Sequence, residues 1–388
     1  MHSINTRKIH NFGPMKKVYL DNAATTAIRP EVIQEMTKVM MEDFGNPSST
    51  HSFGRNSKSI LELSRKSIAK NLNASAQEII FTSGGTEANN WILRSAVKDL
   101  KVERIISSKI EHHAVLHVVE SLEQEFNIKV DFVNIRPNGE IDVNHLVELL
   151  SETVPTMVSL MHVNNEIGTV LDLEMIGRIC KQHGAFFHSD TVQSVGKTPL
   201  NLHDTAIDFI SASAHKFHGP KGIGFLYARK GLIMNPMFLG GEQEKGLRAG
   251  TESIHNISGM AKALELSYQH LEDEKTQIAS LKNYFITQCQ IHFPGFKING
   301  NPDGFYNIVN VMLPFDAAKT IMILFHLDMK GIAVSRGSAC QSGSIKPSHV
   351  LAEILDENAI KRPSLRISFS HYNTIGDIDY LIEALKTI

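Results

Sequence analysis

Lys216 stands in the middle of SASAHKFHGPKGIG (residues 211–224), just past an apolar run that includes Ile207, Phe209 and Ile210, and between His215 and His218. A lysine held among small and aromatic neighbours at the end of a buried strand is expected to have a depressed pKa, because burial disfavours the ammonium. Such an amine is a candidate for Schiff-base formation. The plain alternative is a surface lysine in a polar loop, and this stretch alone does not separate the two. Far downstream, Cys340 sits in SRGSACQSGS (residues 335–344), a composition that predicts a mobile, exposed loop. A thiolate there would be a nucleophile able to travel between a buried site and a partner. Cys180 and Cys289, in amphipathic helical surroundings, read instead as core thiols.

The elements around these residues are regular. Residues 78–82, 104–108, 128–135, 156–163 and 185–189 read as strands, and helices follow them after short polar turns. Asp142 and Asp172 are placed to cap two of the helices, and Pro30 opens an earlier one at the position where its missing N–H costs nothing. Residues 44–55 read as a loop from their Gly, Asn, Pro and Ser content. Strands alternating with helices imply an α/β fold with a largely parallel sheet, in which ligands sit at the carboxyl ends of the strands. Gly85, Thr86, His112, Asn165, Asp190 and Lys216 all follow expected strands, so they could line one site. After Gly250 long amphipathic helices run to about His292, and strand-like residues 307–313 begin a smaller α+β unit. The expected division is 1–14 as an extension, 15–255 as a large domain whose first residues pack with the small one, and 256–388 as the small domain.

Such a set meets the needs of pyridoxal phosphate: a lysine for the aldehyde, a carboxylate to keep the pyridine nitrogen protonated, and donors for the phosphate. Lys216 supplies the first and Asp190 the second. Gly85 and Thr86 offer backbone donors at a helix N-terminus, a favoured anion site, and Ser213 and His215 could add phosphate contacts. Gln193 could donate to the ring hydroxyl, and His112 could stack on the ring and move protons. Each piece alone is weak, since a lone Asp after a strand is more often a cap and a lone His more often structural. Their joint occurrence in a consistent order carries the reading. His113 and His117 have a helical spacing that mimics a metal pair, but without a third ligand no metal is expected.

Composition narrows the classes. The chain has 388 residues, 42% hydrophobic and 21% charged, with 39 Lys and Arg against 41 Asp and Glu for a net charge of −2. That balance argues against nucleic acid as a direct partner, and no apolar run approaches the roughly 20 residues of a membrane span. Three scattered cysteines fit a reducing compartment, so a cytoplasmic location is expected. Folding information is expected to begin near Met15.

Taken together, YLDNAATT, FGNPSS, FTSGGTEANN, EHHAV, HVNNEIG, SDTVQSVGK, SAHKFHGPKGIG, RAGTES, GSACQSGSIKPSHVL and LRISFS resemble the cysteine desulfurase family of class V aminotransferases. The likeness runs through nearly the whole chain after the extension. It implies a fold-type I pyridoxal phosphate enzyme that converts L-cysteine to L-alanine. In this likeness Lys216 holds the cofactor and abstracts the α-proton, His112 acts in acid–base steps, and Asp190 and Gln193 set the ring electronics. Gly85, Thr86, Ser213 and His215 bind phosphate, while Thr251 reaches the phosphate of a neighbouring subunit, implying a homodimer. Asn165 and Arg366 hold the substrate carboxylate. Cys340 takes the sulfur as a persulfide for an acceptor protein, such as an iron–sulfur scaffold or a tRNA-thiolation carrier. The GSAC loop and its continuation resemble the longer-loop branch associated with those two pathways. The sequence departs from the family pattern at Ile110, His113 and Arg336; a cation at 336 would favour the thiolate of Cys340. A selenocysteine lyase or another class V enzyme, and a non-catalytic scaffold, are the competing readings.

Overall fold

The computed structural model describes residues 16–337 and 347–388. The chain enters through a two-residue strand, β1 (Val18–Tyr19), then helices α1 (Pro30–Glu42) and α2 (Ser52–Asn71). Strand–helix alternation follows: β2 (Ile79–Thr82), α3 (Gly85–Lys98), β3 (Arg104–Ser107), α4 (His113–Phe126), β4 (Lys129–Phe132) and α5 (Val143–Leu149). It continues with β5 (Thr156–Ser159), α6 (Leu173–Gln182), β6 (Phe186–Asp190), β7 (Phe209–Ser213) and β8 (Gly224–Ala228). Asp142 and Asp172 cap α5 and α6 through their carboxylates, as the sequence predicts.

These strands form a seven-stranded sheet in the order β2-β8-β7-β6-β5-β3-β4. β8 runs antiparallel to both its neighbours, and the remaining pairings are parallel. Side-chain alternation sorts each strand between two cores. Ile79, Phe81, Ile106, Val158, Phe187, Ile210 and Phe225 join one core, packed with α1 and α2. Ile80, Ile105, Met157, Phe209 and Leu226 join the other, packed with α3 and α4. A sheet covered by helices on both faces must be apolar on both, and this one is.

The second half begins with α7 (Ile254–Gln269) and α8 (Leu271–His292). A three-stranded antiparallel sheet then builds from β9 (Lys297–Asn299), β10 (Ile308–Met312) and, later, β12 (Ser364–Ser368), in the order β12-β10-β9. Between these lie α9 (Ile323–Asp328), β11 (Ile332–Ala333) and α10 (His349–Ile354), and α11 (Ile375–Lys386) closes the chain. β11 pairs in parallel with β1, so Val18 and Leu20 belong to the small-domain core with Phe285, Val311, Ile367 and Ile378.

Ile257, Met260 and Leu264 of α7 pack in the core of the large sheet, whereas Ile278, Leu281 and Phe285 of α8 pack in the second core. We therefore propose that the domain boundary falls at the α7–α8 junction, near His270, rather than at 255/256. Among the described residues no helix is long and apolar enough to cross a membrane.

Candidate active site

Asp190 ends β6, and its carboxylate is 6% exposed, with Oδ1 accepting from the Val192 amide at 3.0 Å and Oδ2 from Asn89 Nδ2 at 2.7 Å. Two donors therefore fix the orientation of this buried carboxylate. Asn89 lies inside α3, where sequence reading offered no reason to single it out; only the packing of α3 against β6 brings it to Asp190.

Lys216 ends a single 3₁₀ turn, Ala214–Lys216, that follows β7 without a break. Its ammonium donates to the carbonyls of Ala23 at 2.7 Å and Ala24 at 2.8 Å. Those carbonyls belong to the DNAATT turn, which Gln193 Nε2 also clasps through Ala23 O at 2.9 Å. Any donation from Gln193 to a ring hydroxyl therefore falls to its second N–H. Behind it, buried Lys197 contacts Gln193 Oε1 at 3.4 Å, and burial followed by the nearby Lys216 charge pushes this amine down to about 7.

His112 caps α4, its Nδ1 accepting from the Ala114 amide at 3.1 Å. An imidazole that accepts at Nδ1 carries its proton on Nε2. Burial holds His112 below the ordinary histidine range, and the Asp190 charge works against that shift. His215 is pushed down to about 4, first by burial and then by Lys216. Its Nδ1 lies 3.2 Å from Thr25 Oγ1.

Arg366, on β12, is 1% exposed; its guanidinium donates to Asn165 O at 2.9 Å and to Asp21 Oδ1 at 2.7 Å. The small domain thus reaches across to the turn after β5 and to the segment after β1.

These groups surround one cavity of about 230 Å³. Gly85, Thr86, His112, Asn165, Asp190, Gln193, Ser213, His215, Lys216 and Arg366 all line it, as do Ala23, Asn89 and Met161. Thr251 does not; it is exposed and outside this cavity. Cys340 lies outside the described residues. The His113–His117 pair acquires a third ring, His349 of α10, with centroids 4.7 and 4.5 Å from His113, but no group of three His, Cys, Asp or Glu among the described residues has metal-binding geometry.

The donor set fits pyridoxal phosphate. An amine held by two carbonyls can exchange them for an aldehyde carbon, and a carboxylate fixed by two donors matches a pyridinium nitrogen. The N-terminus of α3, with Thr86, Ser213 and His215 beside it, offers free amide donors to a phosphate. The backbone comes close here: a Cβ on Gly85 would lie 2.5 Å from Val192 Cγ2.

Comparison with known proteins agrees with this chemistry. The family model for Aminotransferase class-V matches residues 18–381. A relative from Dictyoglomus turgidum named cysteine desulfurase IscS is 40% identical over 96% of this chain and 94% of its own length. A relative of the same name from Clostridium botulinum is 41% identical over the same shares. Among solved structures, a NifS-like protein superposes with a TM-score of 0.88 at 34% identity, covering 96% of this chain and 99% of that one. A NifS-like protein from Rickettsia africae gives 0.85 at 32%, again covering 96% and 99%. A family model spanning nearly the whole chain, joined to these likenesses over both domains, makes the chain a member of the cysteine desulfurase family of pyridoxal phosphate-dependent class V aminotransferases.

Proposed function

We propose that the chain is a cysteine desulfurase that converts L-cysteine to L-alanine and passes the sulfur, as a persulfide on Cys340, to an acceptor protein. The observation that carries this is the convergence of Lys216, Asp190 and His112 on one cavity at the N-terminus of α3. When bound, the cofactor supplies an electron sink for the charge left on carbon as bonds to hydrogen and sulfur break.

The chain's own residues do the rest. Lys216 holds the cofactor and then, as a free amine, takes the substrate's α-proton. Asp190 faces the ring nitrogen, its carboxylate held in place by Asn89 and Val192. His112, with its proton on Nε2, is a neutral donor at the cavity wall, suited to shuttling a proton. Arg366 and Asn165 orient the substrate carboxylate, the guanidinium acting from the small-domain side. The Cys340 thiolate attacks the substrate sulfur: a sulfur–sulfur bond forms as the carbon–sulfur bond breaks, and the electron pair stays on carbon until protonation gives alanine.

Thr251 is read as serving the cavity of a second copy. It is exposed, and the segment leading to it presents Phe238 at 45% and Leu239 at 88% exposure, apolar surface suited to burial in a homodimer. The resemblance of the GSACQSGS sequence to the longer-loop branch favours an acceptor in iron–sulfur cluster assembly or tRNA thiolation. Incubating the holoenzyme with L-cysteine should give alanine and a 32 Da gain on the Cys340 peptide, both lost in Cys340→Ala. Alanine production by Cys340→Ala at the wild-type rate would refute the assignment. A higher rate on L-selenocysteine with no persulfide would favour the lyase reading.

A further inference from the structure

Glu166 lies in the turn after β5, next to Asn165, and it is 1% exposed. Three hydrogen bonds fix the backbone of this turn. Asn164 Oδ1 accepts from the amides of Glu166 at 2.9 Å and Ile167 at 3.1 Å, and Glu166 O accepts from Asn310 Nδ2 at 3.2 Å. Glu166 is not among the residues lining the cofactor cavity, and its carboxylate lies against Ser348 and Gly337, which flank the stretch containing Cys340.

On the downstream end, Ser348 Oγ donates to Glu166 Oε2 while accepting from the Leu351 amide at 3.1 Å, so one hydroxyl both caps α10 and ties it to Glu166. His349, the next residue, has Nε2 2.9 Å from the Glu111 carbonyl. On the upstream end, Gly337 packs so closely that a Cβ would stand 3.0 Å from Glu166 Oε2. Ser335 holds that strand in place by exchanging backbone hydrogen bonds with Arg366, at 3.3 and 2.7 Å, and its hydroxyl donates to Gly337 O at 2.7 Å. A single carboxylate therefore meets both ends of the segment between 337 and 348, and the same turn presents Asn165 to the cavity.

We propose that Glu166 is a positioning residue for sulfur transfer: it joins the two ends of the Cys340 segment and fixes them relative to Asn165 and Arg366. This rests on the reading of Cys340 as the residue that takes the sulfur. Glu166 sets where these two described flanks sit beside Asn165 and Arg366, and a modest misplacement of a reacting group is costly in rate. The chemistry before sulfur transfer needs no such placement.

The test separates the two steps. Substrate binding is read from the change in cofactor absorbance on adding L-cysteine, and sulfur transfer from single-turnover persulfide formation on Cys340 by mass spectrometry. Glu166→Ala and Ser348→Ala should each slow persulfide formation about 10- to 100-fold, the scale of a modest misplacement, with the binding constant within about twofold of wild type. The double variant should lose about as much as Glu166→Ala alone, because that variant has already lost the contact with Ser348. Glu166→Gln, which still accepts from Ser348, should recover most of the rate. Wild-type persulfide rates in both single variants would overturn the proposal, and so would binding and transfer falling by the same factor. Ser348→Ala changes a half-buried hydroxyl and stays informative if Glu166→Ala fails to fold. Should wild-type protein form no persulfide on Cys340 at all, the functional reading fails, which is a separate result.

Discussion

Arg65 of α2 and Glu244 form a buried bidentate pair, Nη1 to Oε2 and Nη2 to Oε1 both at 2.7 Å, with each side chain 3% exposed. Arg65 also donates to Ile79 O at 2.9 Å, and Glu244 Oε2 accepts from the Phe81 amide at 2.9 Å, so the pair locks α2 and β2 to the segment that leads to Thr251. Glu244 and Lys245 both hold left-handed backbone, with φ of 47° and 60°, a conformation kept only where neighbours impose it. Replacing Glu244 with Gln keeps the shape and removes the charge, stranding a buried guanidinium. Breaking such a pair costs about 3–5 kcal/mol. Glu62, with a carboxylate 3.4 Å from Arg65 Nε, offers partial compensation and points to the lower figure, about 3 kcal/mol. At roughly 2–4 °C per kcal/mol for a domain of this size, Tm should fall by about 6–12 °C. The same segment holds the first turn of α3 through Arg248 to Glu87 at 3.0 Å, so cofactor should also dissociate faster from this variant. Differential scanning calorimetry and absorbance after dilution measure the two effects. A Tm within 1 °C of wild type would refute the reasoning. In Arg65→Met with Glu244→Met, where no charge is stranded, much of the stability should return.

Arg366→Lys replaces a planar fork with a point charge and should lose one charge-assisted bond, about 1.5–3 kcal/mol, which is roughly a 10- to 100-fold fall in kcat/KM for L-cysteine, visible in steady-state kinetics. Gly224→Ala places a Cβ 2.2 Å from Ala212 O and 2.7 Å from Gly84 Cα. The backbone must move, at about 1–3 kcal/mol, and equilibrium titration should show weaker cofactor binding. Stability should fall with acidification between about pH 6.5 and 4. His162 and His215 are held at about 4 and His188 and His218 at about 3, each chiefly by burial. The unfolded chain therefore takes up protons that the folded one refuses as pH falls through 6.5. Glu111, raised to about 8 by burial, acts in the opposite sense as a single group. Each buried histidine adds up to about 1.4 kcal/mol per pH unit, and denaturant titrations at pH 7, 6 and 5 should show the slope; a flat profile would contradict it.

The residues that could be found in the sequence were those placed by local rules. Asp190 and Lys216 follow strands whose apolar runs are plain, and Asp142 and Asp172 precede helices they cap. Asn89 could not be found this way, because a polar residue inside an amphipathic helix looks like solvent-facing surface until α3 docks on β6. Ser348 and Glu166 meet across 182 positions, a contact that no local pattern encodes. The start of α2 was missed for a different reason. Gly54 read as a loop residue, yet it permits close packing, since a Cβ there would lie 2.4 Å from Ser49 O. The helix accordingly begins at Ser52, inside the stretch expected to be loop. Between β10 and β11 the chain forms a 3₁₀ turn, Ala317–Thr320, and then the short α9.

The single antiparallel strand has a consequence for how the protein acquires its site. β7 and β8 are near neighbours in the chain, pairing Ser213 with Gly224, but β2 must find β8 across a long intervening stretch, pairing Thr82 with that same Gly224. The turn that carries Gly85 and the turn that carries Lys216 are therefore aligned only once this distant pairing closes. Contacts of large sequence separation form slowly, because loop closure comes before any reward. During refolding, the ability to take up cofactor should thus lag behind the return of helical signal, making cofactor uptake a clock for the last long-range step.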